Sequence, residues 1–183
     1  MAHKVEIGLH RGTVRLVAHD PEWAGYFSEE KEILFNILGH KILDVRHIGS
    51  TSIPGMLAKP IIDILVAVKK LADVDAFTPG LNKLGYEDKA TGGVPGRRYF
   101  VKGTEAKSTH HLNFCELNSF FWRSHLEFCE YLKRHPDMAR QYSALKQELA
   151  DRFSNDRGAY TAGKEKFVRS ILKRAMDETG TNS

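Results

Sequence analysis

His47-Ile48-Gly49-Ser50-Thr51-Ser52-Ile53-Pro54-Gly55-Met56-Leu57-Ala58-Lys59-Pro60-Ile61-Ile62-Asp63 is the stretch on which the reading of this chain turns. It places a strand end, a glycine- and hydroxyl-rich loop, a lysine and then a carboxylate on the next strand. Gly49 allows the backbone to approach a ligand closely. Ser50, Thr51 and Ser52 offer hydroxyls and amides that can hold phosphate oxygens. Lys59 adds a mobile positive charge. Asp63 is the single charge in the apolar run 61–68. A carboxylate there is costly unless a metal, a cation or hydrogen bonds compensate it. With phosphate nearby a divalent metal is the natural partner; a solvated strand end is the plain alternative. The loop is not a Walker A sequence, because Met56 follows Gly55 where that motif needs lysine and then serine or threonine.

Outward from this stretch, Ile42 to Ile48 and Ile61 to Val68 read as strands, the second covered on both faces. Upstream, Thr13 to Val17 suggests a leading strand. Asp20-Pro21-Glu22-Trp23 is a helix start, and Gly39 ends that helix. Downstream, Leu71 to Leu84 reads as a helix interrupted by Pro79-Gly80, and Gly92 to Gly96 as a flexible loop. Arg98 to Lys102 and His111 to Cys115 are further strands. From Asn118 the pattern is helical, broken at His135-Pro136-Asp137. A last helix carries Tyr160, Phe167, Ile171 and Ala175. The expectation is an α/β chain of the α+β type, a mixed sheet flanked by helices and followed by C-terminal helices. It forms a single domain over 1–183, with a core over 20–117, a helical part over 118–178 and a frayed tail over 179–183.

Composition narrows the function classes. With 183 residues, 42% apolar and 27% charged, the chain is an ordinary globular sequence with a core of useful size. No apolar stretch reaches bilayer length, and the N-terminus lacks the order of a signal peptide, so a cytoplasmic protein without a membrane partner is expected. Cys115 and Cys129 lack metal or redox spacing and read as buried thiols. A net charge of +4 is too weak to argue for nucleic acid. Within Lys89 to Asn113, however, Lys89, Arg97, Arg98, Lys102 and Lys107 face only Glu105. Such a patch suits a phosphorylated small molecule, and a solvated loop equally well.

Two smaller clusters remain. On a strand, His111 and Asn113 face one way and His110 the other; one such pair is short of a metal site. Arg157, Tyr160 and Lys164 recur at helical spacing and could turn a polar face to the site, although a surface helix start is the reading the spacing favours. The stripe of Phe120, Phe121, Trp122 and Phe128 reads as core.

HIGSTSIPGMLAKPIIDILVAV (47–68) closely resembles the signature of the GrpB family of the nucleotidyltransferase superfamily. DPEWAGYFSEEKEIL (20–34) is similar to the family's first helix. HHLNF (110–114) falls where the family has a His-Leu-His strand, and the chain from Phe128 to Val168 is similar to its C-terminal helices. The resemblance implies a nucleotidyltransferase-like core whose Gly-Ser loop binds a nucleoside triphosphate. In active superfamily members two acids, spaced two apart on the following strand, hold Mg²⁺, and a later strand supplies a third. Here Asp63 matches the first acid, but Leu65 stands at the second position and His111 and Asn113 on the later strand. Such a donor set suits one Zn²⁺ or Mn²⁺ better than two Mg²⁺, or no metal.

Two functions follow as expectations. One is transfer of a nucleotidyl group to a small acceptor. Gly49, Ser50, Thr51, Ser52, Lys59, Arg98 and Lys164 would hold the nucleotide, Asp63, His111 and Asn113 a divalent metal, and Asp63, Lys59 and Arg98 the chemistry. The other is a non-catalytic module that binds a nucleotide or another phosphorylated ligand. An RNA-binding reading is the weakest of the three.

Overall fold

The β-branched run after Lys59 cannot hide its apolar side chains on one face, so it becomes an inner strand with a layer of helices on each side. The computed structural model describes residues 6–180. Its strands are β1 (Leu9–His10), β2 (Asp44–Ile48), β3 (Ile62–Val68), β4 (Tyr86–Asp88), β5 (Arg98–Gly103) and β6 (Lys107–Glu116). Its α-helices are α1 (Trp23–Leu38), α2 (Thr78–Lys83), α3 (Phe120–Arg134), α4 (Pro136–Arg152), α5 (Arg157–Gly163) and α6 (Glu165–Gly180).

The sheet order is β2-β3-β6-β5-β4, with β1 also paired to β6. Only β3 and β6 run parallel, with Asp63 beside His111 and Leu65 beside Asn113; the other pairs are antiparallel. The two-residue period then sorts the side chains. Ile62, Ile64, Val66, Leu112 and Phe114 pack toward α1 and α2. Leu65, Ala67 and Cys115 pack toward α3, α4 and α6. Asp63, His111 and Asn113 therefore share the face beneath the C-terminal helices, and His110 lies on the other. There His110 approaches Glu30, which is buried and takes hydrogen bonds from Tyr86 and Lys102.

The expected architecture is present, with local differences. Thr13 to Val17 is not a strand; Val17 forms one bridge to Ala58, and Leu9–His10 is the leading strand, outside the expected 20–117 core. Leu71–Phe77 is a 3₁₀ stretch, and α2 starts anew with Pro79 in its first turn, where a missing N–H is harmless. The last helical segment divides into α5 and α6. Residues 179 and 180, expected in a frayed tail over 179–183, are the end of α6; 181–183 lie outside the described residues. Phe121 and Trp122 are core as expected, but Phe120, first in α3, is 67% exposed. Among the described residues no helix is long and apolar enough to cross a membrane.

Candidate functional site

Because the C-terminal helices cover the Leu65 end of the sheet face and stand off at the Asp63 end, a cavity of about 810 Å³ opens there. Gly49, Ser50, Thr51, Lys59, Asp63, His111, Asn113 and Lys164 all line it, so most of the sequence-derived set converges. Asp63 keeps 33% side-chain exposure, and its Oδ1 lies 2.9 Å from His111 Nδ1. Gly49 has φ +71°, and a Cβ there would fall 2.6 Å from Asp63 Oδ2. Glycine is thus required twice, by backbone conformation and by contact with the carboxylate.

The loop hydroxyls are already engaged. Ser50 Oγ accepts from Lys146 Nζ at 2.9 Å. Thr51 Oγ1 pairs with His47 Nε2 at 2.9 Å, and Ser52 Oγ donates to the Gly49 carbonyl at 2.8 Å. Ser52 does not line this cavity; it borders a neighbouring groove between the loop and α4. Arg98 is also elsewhere. It is ion-paired to Asp75 at 2.5 Å and to Asp88. Its neighbour Arg97 lines the cavity, donating to Asn113 Oδ1 at 2.8 Å and lying over the Tyr99 ring. The basic window 89–113 is thereby dispersed, since Lys102 pairs with Glu30 and Lys107 with Glu6.

In the helical part, Arg157, Tyr160 and Lys164 all face the cavity, contrary to the surface reading of their spacing. Sequence reasoning does not single out Lys146, which is buried on α4 and donates to Ser50 and the Leu57 carbonyl. The signal is there: Tyr142, Lys146 and Leu149 fall at helical spacing, placing a lysine in an apolar stripe.

Charge balance is the site's main property. Seven lysine and arginine side chains line the cavity against one carboxylate, Asp63, among the described residues. Arg11 and Lys89 are paired with Glu87. Lys59, Arg97, Lys146, Arg157 and Lys164 form no ion pair among the described residues. Burial, with Arg157 and Lys164 nearby, lowers the Lys59 ammonium to about 7. Burial, with Lys164 and Lys59, lowers Lys146 to about 7. Burial lowers Lys164 to about 8, helped by Arg157 and opposed by Asp63.

Asp63 and His111 titrate as a pair. Burial alone would raise Asp63, but the hydrogen bond from His111 and the charges of Lys59 and Arg157 outweigh it and hold the carboxyl below its ordinary range. Burial, with Arg157 and Lys59, holds the His111 imidazole below its ordinary value against the pull of Asp63. Arg157 Nη2 lies 3.2 Å from His111 Nε2. A guanidinium can only donate, so Nε2 accepts and the Nδ1 proton goes to Asp63. These two contacts are those of a ring that carries its proton on Nδ1.

These partners do not fit a resident divalent metal. Leu65, in the second acid position, is fully buried among apolar side chains and outside the cavity lining. His111 spends both ring nitrogens on Asp63 and Arg157, and Asn113 Oδ1 is held by Arg97. Among the described residues, one carboxylate against five lysines and arginines without an ion pair is the reverse of the oxygen-rich anionic cage that Mg²⁺ requires. Among the described residues no group of three or more His, Cys, Asp or Glu is placed to hold an ion.

Fold and cavity together define a mixed α/β protein whose helical cap closes a cationic, ligand-sized chamber onto its central strands. The chain belongs to the GrpB protein family, whose model matches residues 13–174. It is 38% identical over 170 residues to the glutamate-rich protein GrpB of Alkalihalophilus pseudofirmus, covering 91% of this chain and 98% of that one. The crystal structure of conserved protein GrpB from Enterococcus faecalis has a TM-score of 0.84 at 36% identity, covering 90% of this chain and 99% of that chain. Two relatives are longer, and this chain spans 47% of each. One is the UPF0157 protein YqkA of Bacillus subtilis, 39% identical over 162 residues and 88% of this chain. The other is a dephospho-CoA kinase of Mycolicibacterium paratuberculosis, 30% identical over 193 residues and 92% of this chain.

Proposed function

We propose that the cavity binds a phosphorylated small molecule, a nucleotide or a nucleotide-containing metabolite, through lysine and arginine side chains. The observation that carries this reading is the set of five lysine and arginine side chains that, among the described residues, have no ion-pair partner around a concave chamber with one carboxylate. Each of those cations lost part of its hydration on folding, and a polyanion restores the missing partner. The volume suits a ligand of nucleotide size. Tyr99, Tyr142, Tyr160 and Phe128 supply flat surfaces beside the charges for a base. The name of the mycobacterial relative, a dephospho-CoA kinase, makes dephospho-CoA and related phosphorylated carriers sensible members of the ligand panel.

Nucleotidyl transfer to a small acceptor, implied by the superfamily resemblance, is the finer reading. It needs metal-bound oxygens where this chain has Leu65, His111 and Asn113, so binding is the function we favour. The localisation expected from the sequence, the cytoplasm, agrees with such a ligand. A thermal-shift panel of pyrophosphate, nucleoside triphosphates, dephospho-CoA and their unphosphorylated counterparts tests the reading. Stabilisation confined to the phosphorylated members supports it; equal response to both sets, or to neither, contradicts it.

A further inference from the structure

We infer that His111 is a phosphoryl acceptor: its Nε2 attacks a phosphoanhydride or acyl-phosphate donor in the cavity and carries the phosphoryl group as a phosphoramidate. This rests on the proposal that the cavity binds phosphorylated ligands, and adds an activity to it.

Three features of the geometry point there. First, the ring has a fixed role for each nitrogen. Nδ1 gives its proton to Asp63 at 2.9 Å, and that leaves the Nε2 lone pair free of a proton. An anionic partner on the far nitrogen also makes the ring a better nucleophile, because it stabilises the positive charge that develops on attack. Second, Nε2 is turned to a cation. Arg157 Nη2 sits 3.2 Å from it, in the region that a phosphoryl group must enter to react. An incoming phosphate replaces that hydrogen bond and offers its own oxygens to the guanidinium, so the arginine marks and then neutralises the reacting group. Third, Lys59 and Lys164 line the same cavity and supply charge for the departing phosphate oxygens.

The step balances without a metal. The Nε2 lone pair forms the N–P bond, and the bridging P–O bond breaks with its electron pair on the leaving phosphate or carboxylate, which departs as an anion. The Nδ1 proton stays in the hydrogen bond to Asp63. Water then attacks phosphorus, the N–P pair returns to Nε2, and the water's protons leave with inorganic phosphate. Asp63 is a positioning residue in this scheme, and His111 the catalytic one.

The test incubates the intact protein with ³²P-labelled acetyl phosphate and γ-³²P-labelled ATP, with pyrophosphate binding measured in parallel by calorimetry. The expected result is an acid-labile, alkali-stable label that maps to His111. His111→Asn retains a donor toward Asp63 but has no Nε2; it should lose the label while still binding pyrophosphate. Asp63→Asn should slow labelling about 10-fold or more and shift its pH profile, with a smaller effect on affinity. If pyrophosphate binds and neither donor labels the protein, the inference is overturned and the binding function stands. A label on any residue other than His111, or donor hydrolysis that depends on His111 without a covalent label, also overturns it. Absence of pyrophosphate binding overturns the underlying reading.

Discussion

Gly49 and Asp63 are in direct apposition: the α-carbon of the glycine leaves so little room that an added methyl group would lie 2.6 Å from Asp63 Oδ2. The loop after β2 and the acid of β3 are thus a single unit. Gly49→Ala must place alanine at φ +71° and displace the carboxylate. We expect a loss of about 1–3 kcal/mol in stability, read by urea unfolding, together with weakened pyrophosphate binding. Wild-type affinity in a folded Gly49→Ala protein would separate the two roles of this residue.

Ligand binding should take up protons. Lys59 and Lys146 lie at about 7 and Lys164 at about 8 in the free protein, and a bound anion raises all three. Near pH 8 Lys59 and Lys146 are mostly neutral and Lys164 about half so, and binding an anion must recruit protons. Affinity therefore falls as pH rises from 7 to 9, by about tenfold per pH unit for each proton taken up. Sulfate is the suitable probe, since its own charge is constant in this range. Calorimetry in buffers of different ionisation enthalpy reports the uptake directly, and a pH-independent affinity would contradict the assignment.

The same lysines link pH to the stability of the free protein. Their folded values lie below the ordinary 10.5, so the unfolded chain binds more protons between about 7 and 10.5. Stability of the ligand-free protein should rise with pH through that window. Thermal unfolding at pH 7, 8 and 9 checks the sign, and a fall in midpoint attributable to these lysines contradicts it. Lys59→Met and Lys146→Met should each flatten the trend.

Adjacent arginines should behave differently. Arg97→Gln removes a cavity cation and should weaken pyrophosphate binding about tenfold or more. Arg98→Gln breaks the pairs with Asp75 and Asp88 on the other side of the sheet and should leave affinity within about twofold, with any change confined to stability. A titration of the two variants side by side decides the matter; a larger loss for Arg98→Gln refutes the placement.

That pair of residues also shows what a sequence can and cannot reveal. The positions of Gly49, Lys59 and Asp63 are legible because strand, loop and strand follow one another locally and the period of two fixes which way Asp63 points. A cluster of basic residues carries no such instruction. Arg97 and Arg98 differ only in which sheet face they meet, and acids far away in sequence, Asp75 and Asp88, claim one of them. Lys146 is hidden differently: its helix reads correctly, but a lysine in an apolar stripe becomes a site residue only once α4 packs over Ser50. The three-residue β4 is too short to give a periodic signal, and it forms because β5 offers an open edge.

Leu65 tests the distance between this site and a two-metal centre. Leu65→Asp installs the acid at the second position of the superfamily pattern, in the buried apolar cluster beneath α3, α4 and α6 and beside Asn113. The expected outcome is a loss of about 3–5 kcal/mol in stability that millimolar Mg²⁺ or Mn²⁺ does not restore, measured by denaturant titration with and without the ion. Restoration by either ion would show that the cavity reaches this position.

The central claim, a cationic chamber built to receive phosphate, is tested most directly by calorimetric titration of the full chain with pyrophosphate at pH 7. The account predicts saturable one-site binding that weakens with salt, and that is largely lost in a folded Lys59→Met, Lys164→Met double variant. A folded wild-type protein that gives no binding heat and no thermal stabilisation, or a double variant that binds as well as wild type, would contradict it.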